Sequence, residues 1–110
     1  MLLLGCQLDA EDTADTAPDP CAEVPVLRWS NFGDGFITGA CQGCHASTAT
    51  DRFGAPDDVT FDTVDETWFW SSRILARATS DDPTMPPEGG VDADDRQRLA
   101  WWLECAPEGT

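Results

Sequence analysis

The sequence predicts an all-α fold, a small domain of three to four helices that follows a disordered N-terminal tether. Apolar residues recur at helical spacing in 63–79 and again near the C-terminus, and we find no convincing strand. Prolines and glycines interrupt 46–61 and 80–90, which predicts loops at both places. A chain of 110 residues is expected to form one domain.

The N-terminal segment divides from the folded part by composition. Residues 7–20 are acidic and small, end in proline, and contain almost nothing apolar to bury. Such a composition predicts a disordered linker. It would join a short N-terminal piece, 1–6, to a folded domain that spans 21–110.

The first helix is predicted to begin at Ser30 or Asn31, since either side chain is a good N-cap. It should run up to Cys41. Gly33 and Ile37 lie eight and four residues before that cysteine, so they share one helical face.

A second helix is expected from Thr63 to Thr79, capped by Asp62 or Thr63. Its apolar positions follow helical spacing and are predicted to face the core. They are Val64, Trp68, Leu75 and Ala78.

The last helix should begin near Asp92 and end around Cys105. Leu99, Trp102 and Leu103 form an i, i+3, i+4 stripe that predicts one buried face.

The segment 41–45 reads Cys-Gln-Gly-Cys-His, the C-x-x-C-H signature of c-type haem attachment. Two thiols three positions apart on one helical turn can both reach the vinyl groups at the edge of a porphyrin. His45 is the only histidine in the chain and can offer an imidazole nitrogen to the iron. We therefore predict one covalent haem c per chain, attached through Cys41 and Cys44.

Three other interpretations of this motif are weighed against haem. A redox dithiol usually sits in a strand-rich βαβ context, which the sequence does not show. A structural zinc site usually brings a second pair of Cys or His ligands at short spacing, and here the other cysteines are scattered. A local disulfide between Cys41 and Cys44 is the third.

The formal net charge of −15 is extreme for this length, and all six basic residues are arginines. A surface of this sign repels phosphates, so nucleic acid is not an expected partner. A protein with a basic docking surface, or small cations, fits better. Alternatively, the acidity serves only to keep the protein soluble.

Cys6 follows Leu3-Leu4-Gly5 and resembles the lipobox of bacterial lipoproteins, in which the cysteine is acylated. That resemblance implies a lipid anchor on Cys6 and a periplasmic or outer-surface location on a bacterial membrane. Residues 1–4 supply neither the basic region nor the apolar stretch of a secretory signal, so a longer or processed form is expected. The alternative is an ordinary apolar N-terminus.

Two cysteines, Cys21 and Cys105, remain after these assignments and bracket the folded part. We predict that they form a disulfide, which an extracytoplasmic compartment would allow. The rival interpretation is that both are free and buried.

Taken together, residues 21–106 resemble a monohaem c-type cytochrome of the small helical class with histidine and methionine axial ligands. Three features carry the resemblance: C-x-x-C-H at 41–45, Thr-Met-Pro-Pro at 84–87, and a closing Leu-Ala-Trp-Trp-Leu at 99–103. The resemblance implies that Met85 is the sixth iron ligand beside His45. The alternative role for Met85 is filling a gap in the core.

The resemblance also implies how the histidine and the helices are held. A backbone carbonyl near Pro56 would accept the far ring N–H of His45. The first and last helices would cross at four residues: Gly33, Ile37, Leu99 and Trp102. Three arginines are candidate partners of the haem propionates, although we favour surface carboxylates: Arg52, Arg73 and Arg77.

The function implied is one-electron transfer to redox protein partners, not enzymatic catalysis, by the chain alone or as a haem-domain subunit of a larger oxidoreductase system. A haem with both axial positions filled has no open site for a substrate. Two alternatives stay open. One is a five-coordinate haem enzyme or sensor, which needs Met85 absent or labile, and the other is a structural zinc or disulfide domain.

Overall fold

The computed structural model describes residues 19–110, and all regular structure within them is helical. A π-helical turn, Trp29–Gly33, leads into the first of five α-helices. The α-helices are α1 (Asp34–Ala40), α2 (Gln42–His45), α3 (Val64–Phe69), α4 (Ser71–Ala78) and α5 (Ala93–Cys105). The all-α prediction is confirmed over these residues. The expectations for 1–6 and for 7–18 lie outside the described part of the chain.

The first helix begins slightly earlier than the sequence predicted and is built in pieces. Regular structure starts at Trp29, with extended backbone at Arg28, so neither Ser30 nor Asn31 is the N-cap. The Asn31 side chain acts from inside the turn: it accepts the Arg28 backbone N–H at 2.7 Å and donates to the Val26 carbonyl at 2.7 Å. The Asn31 side chain thus fixes the start of the helical segment with two hydrogen bonds, one accepted and one donated.

The predicted second helix is two helices, because the backbone leaves helical geometry at Trp70 (φ −97°, ψ 11°). The Thr63 cap is confirmed, since its hydroxyl oxygen accepts the Glu66 N–H at 3.1 Å. Of the positions predicted to face the core, Trp68 and Ala78 are buried, whereas Val64 and Leu75 are only partly buried. Ile74 is buried in addition.

The last helix agrees with its prediction. Asp92 caps α5 by accepting the Asp95 N–H at 2.8 Å. The predicted stripe of Leu99, Trp102 and Leu103 is buried.

The core is centred on Trp102, which is fully buried. Its indole lies so close to Gly33 that a Cβ there would sit 2.5 Å from Cη2. The close approach of these two segments is therefore confirmed, and Ile37 and Leu99 are fully buried in the same cluster. Three other aromatic rings surround the indole at centroid distances of 5.7–6.2 Å: Trp29, Phe32 and Trp68.

A disulfide joins Cys21 to Cys105, with their Cα atoms 5.5 Å apart. This distance is ordinary for a disulfide, and the pairing expected from the sequence is confirmed. The bond ties the start of the described chain to the end of α5 across 84 residues. In the chain-entropy model such a loop stabilises the fold by up to about 4 kcal/mol.

Replacing Gly33 by alanine should destabilise the protein by about 1–3 kcal/mol, because the added methyl overlaps the Trp102 ring. Gly35→Ala is the matched control: no atom lies within 4 Å of its added Cβ, so alanine's higher helix propensity should stabilise α1 by up to about 1 kcal/mol. Urea unfolding midpoints measure both. Equal effects of the two substitutions would show that the Gly33–Trp102 contact does not constrain the fold.

Candidate haem site

The two cysteines and the histidine of the 41–45 motif lie on one tight turn. Cys41 connects α1 to α2, and its carbonyl accepts the backbone N–H of Cys44 at 3.2 Å and of His45 at 2.9 Å. Neither thiol is in a disulfide. The motif therefore presents two free thiols and an imidazole from adjacent positions.

Burial raises the pKa of the Cys41 thiol to about 12, and the neighbouring Cys44 adds a smaller effect in the same direction. Cys41 is thus protonated at neutral pH. Redox dithiols depend on an accessible thiolate of lowered pKa. This environment has the opposite effect, which disfavours the redox-dithiol interpretation.

His45 is held from one side by the backbone. Its Nδ1 lies 3.0 Å from the Val59 carbonyl oxygen, and a carbonyl can only accept, so the proton belongs on Nδ1. The other ring nitrogen, Nε2, is then left with a lone pair that can bind a metal. The Phe61 ring packs beside the imidazole at 4.8 Å between centroids.

The carbonyl partner of His45 differs from the one expected. We expected it in the Ala55–Pro56 region, whereas the structure gives Val59. The Pro56 carbonyl is already used, since it accepts the Val59 N–H at 3.1 Å and Arg52 Nη2 at 2.7 Å. Pro56 itself is exposed. The turn at 56–59 brings the later carbonyl to the ring.

Arg52 is a residue whose role the sequence did not reveal. Its guanidinium donates to the carbonyls of Ala46 at 2.7 Å, Pro56 at 2.7 Å and Val59 at 3.0 Å. Asp57 is a surface carboxylate of the kind favoured from the sequence and lies 3.7 Å from Nε, but the shorter contacts of Arg52 are to backbone oxygens. A single arginine in a loop without periodicity carries no sequence signal for such bonds.

Met85 is fixed through its backbone. Its N–H donates to the Arg77 carbonyl at 2.9 Å, and its carbonyl accepts Arg96 Nη1 at 2.9 Å. The same Arg96 nitrogen donates to the Ala78 carbonyl at the end of α4 at 2.7 Å. The Met85 side chain is partly buried and packs on the core cluster, as Cys41 does.

The donor chemistry of these residues fits a c-type haem: two thiols for the ring edge, an imidazole nitrogen and a thioether for the iron. Two indole N–H groups, those of Trp68 and Trp102, are buried without an acceptor in residues 19–110. Over the same residues, no group of three or more His, Cys, Asp or Glu side chains is arranged to hold a metal ion.

No protein-family model matches the chain, and neither a curated protein nor a solved structure shows significant similarity to it. The 41–45 turn and its surroundings are therefore the main indication of function. Within the described part, no helix combines the length and the apolar composition needed to cross a bilayer. Cys6, the expected lipid attachment point, lies outside the described residues.

In chain expressed without haem-attachment machinery, iodoacetamide should alkylate Cys41 more slowly at pH 8.5 than it does in the same chain unfolded in urea. The raised pKa leaves less thiolate in the folded state, and the rate should climb as the pH approaches about 12. Peptide mapping by mass spectrometry measures the rate. The same rate in both states would contradict the buried environment of this thiol.

Proposed function

We propose that this chain is a one-electron carrier of the c-type cytochrome class, with one haem bound covalently through Cys41 and Cys44. When bound, the haem supplies the chemistry, a reversible change of iron between two oxidation states. The main observation in favour is the turn at 41–45, where two free thiols adjoin a histidine whose Nδ1 is engaged by a backbone carbonyl.

The cysteines' role in this proposal is attachment. Each of Cys41 and Cys44 would hold the haem through a thioether: the S–H would add across a vinyl group, with sulfur bonded to one carbon and hydrogen to the other, so no oxidant would be consumed. The large apolar ring would also supplement a core that is small for a chain of this length.

The iron ligands in this proposal are His45 and Met85. The bond from Nδ1 to Val59 orients the imidazole and leaves Nε2 available. Met85 is held at both its backbone N–H and its carbonyl, which limits the positions that its sulfur can take. The thioether of Met85 would be a soft neutral ligand and would raise the reduction potential. With both residues bound to the iron, no position would remain for a substrate.

The setting proposed for this carrier is extracytoplasmic. The Cys21–Cys105 disulfide requires an oxidising compartment, and a lipid anchor on Cys6 would keep the domain at a bacterial membrane. The net charge of −15 favours redox partners with a basic docking surface and disfavours nucleic acid.

A protein made with a c-type maturation system should stain for haem on a denaturing gel, because only a covalently linked haem survives denaturation. Cys41→Ala together with Cys44→Ala should abolish the stain, whereas Cys105→Ala, which removes only the disulfide, should retain it. Pyridine haemochrome spectra count one haem per chain. A colourless wild-type protein, with a known cytochrome coloured in the same host, would reject the proposed function.

Met85→Ala should lower the reduction potential and let the reduced protein bind carbon monoxide at neutral pH, because the sixth position becomes open. Met85→His is the matched control, since it should lower the potential while keeping that position filled. Visible spectra and spectroelectrochemistry measure both effects. Unchanged spectra and potential in the alanine variant would show that Met85 is not a ligand, and carbon monoxide binding by the wild type would favour a five-coordinate haem.

A further inference from the structure

We propose that Arg52 is a positioning residue for His45. Its guanidinium fixes the imidazole of His45 and weakens the electron donation of that ring to the iron. The proposal rests on the haem function proposed above. It concerns the Val59 carbonyl, which receives two hydrogen bonds: one from His45 Nδ1 at 3.0 Å and one from Arg52 Nη2 at 3.0 Å. The acceptor that orients the ligand is thus shared with a cation.

The same guanidinium holds both ends of the loop that carries this acceptor. Its Nη1 donates to Ala46, the residue next to His45 in the chain, at 2.7 Å. Its Nη2 donates to Pro56 at 2.7 Å and to Val59. Arg52 therefore sets the distance between the histidine and its carbonyl partner.

The Arg52 side chain is sheltered, but it pairs with the surface carboxylate of Asp57. Hydrogen bonds from Ser47 chiefly lower the pKa of Asp62, and Arg52 helps to lower it. The Arg52 side chain is 16 % exposed, and the nearest carboxylate, Asp57, lies 3.7 Å from Nε and is itself fully exposed. An ion pair with a fully exposed carboxylate contributes little net energy in water. The guanidinium consequently acts on the carbonyls that it contacts more than on Asp57.

The electronic effect follows from the sharing. A carbonyl oxygen that accepts a charge-assisted hydrogen bond has less electron density for a second donor. The Nδ1–H of His45 is then polarised less, so the ring keeps more neutral-imidazole character and donates less to the iron. Weaker donation favours the reduced state, and the positive charge acts in the same direction. Arg52 should therefore raise the reduction potential.

Spectroelectrochemistry of three variants of the haem-loaded protein tests this. Arg52→Gln should shift the redox equilibrium about tenfold toward the oxidised form, a fall of about 59 mV for one electron. Arg52→Lys keeps the charge and should recover most of the potential. Arg98→Gln changes the net charge equally, but its guanidinium bonds the exposed Asp95 at 2.8 Å, so its potential should stay near that of the wild type.

A second readout follows the His45 Nδ1–H itself in ¹⁵N-edited NMR of the reduced protein. We expect slow exchange with water in the wild type and in Arg98→Gln, and faster exchange in Arg52→Gln, because the loop no longer holds Val59 against the ring. Arg52→Lys should be intermediate. Circular dichroism identifies a variant that has not folded. If Arg52→Gln does not fold, the Nδ1–H exchange of Arg52→Lys, compared with that of the wild type, tests the proposal instead.

Two results would overturn the proposal: a potential in Arg52→Gln no lower than in Arg98→Gln, or the same Nδ1–H exchange in Arg52→Gln as in the wild type. A wild-type protein without haem would instead overturn the proposed function. The positioning role would then be decided by the exchange of the His45 ring proton in the same variants.

Discussion

The contact between Gly33 and the Trp102 indole is the constraint on which the other positions depend. The ring occupies the space where any other residue would place its Cβ. The segment that leads into the 41–45 turn therefore lies directly on α5. Trp102 is fully buried and is also ringed by Trp29, Phe32 and Trp68. One side chain thus joins the 29–33 turn, α3 and α5.

Helix α5 then supports the rest of the candidate site by different means along its length. Near its start, Arg96 bonds the carbonyls of Ala78 and Met85 and so connects α5 to the end of α4 and to the methionine loop. At its end, Cys105 is bonded to Cys21. The methionine loop, 80–90, has no helix of its own and takes its position from these neighbours. Helix α5 can position this loop because its apolar face packs in the core while Arg96 bonds the loop backbone.

Local chemistry explains which features the sequence could predict. The caps at Thr63 and Asp92 and the buried face of α5 follow from residue types at fixed spacing. No proline or glycine marks the break at Trp70, so the sequence did not predict it. The choice of Val59 as the partner of His45 depends on the turn at 56–59 and on three bonds from an arginine, which only the folded loop defines. The motif was therefore readable from the sequence, whereas its supporting contacts were not.

The two proposed iron ligands are held by contacts of different range. His45 is supported within 46–61, by the Val59 carbonyl, the Arg52 guanidinium and the backbone bond from Phe61 to its own carbonyl at 2.8 Å. Met85 instead depends on α4 and α5 keeping their relative position, because its two backbone bonds go to one residue of each. Loosening the α4–α5 contact would therefore release the methionine while the histidine side stays formed. Under the proposed function, Met85 raises the reduction potential, and its position depends on how α4 and α5 pack together.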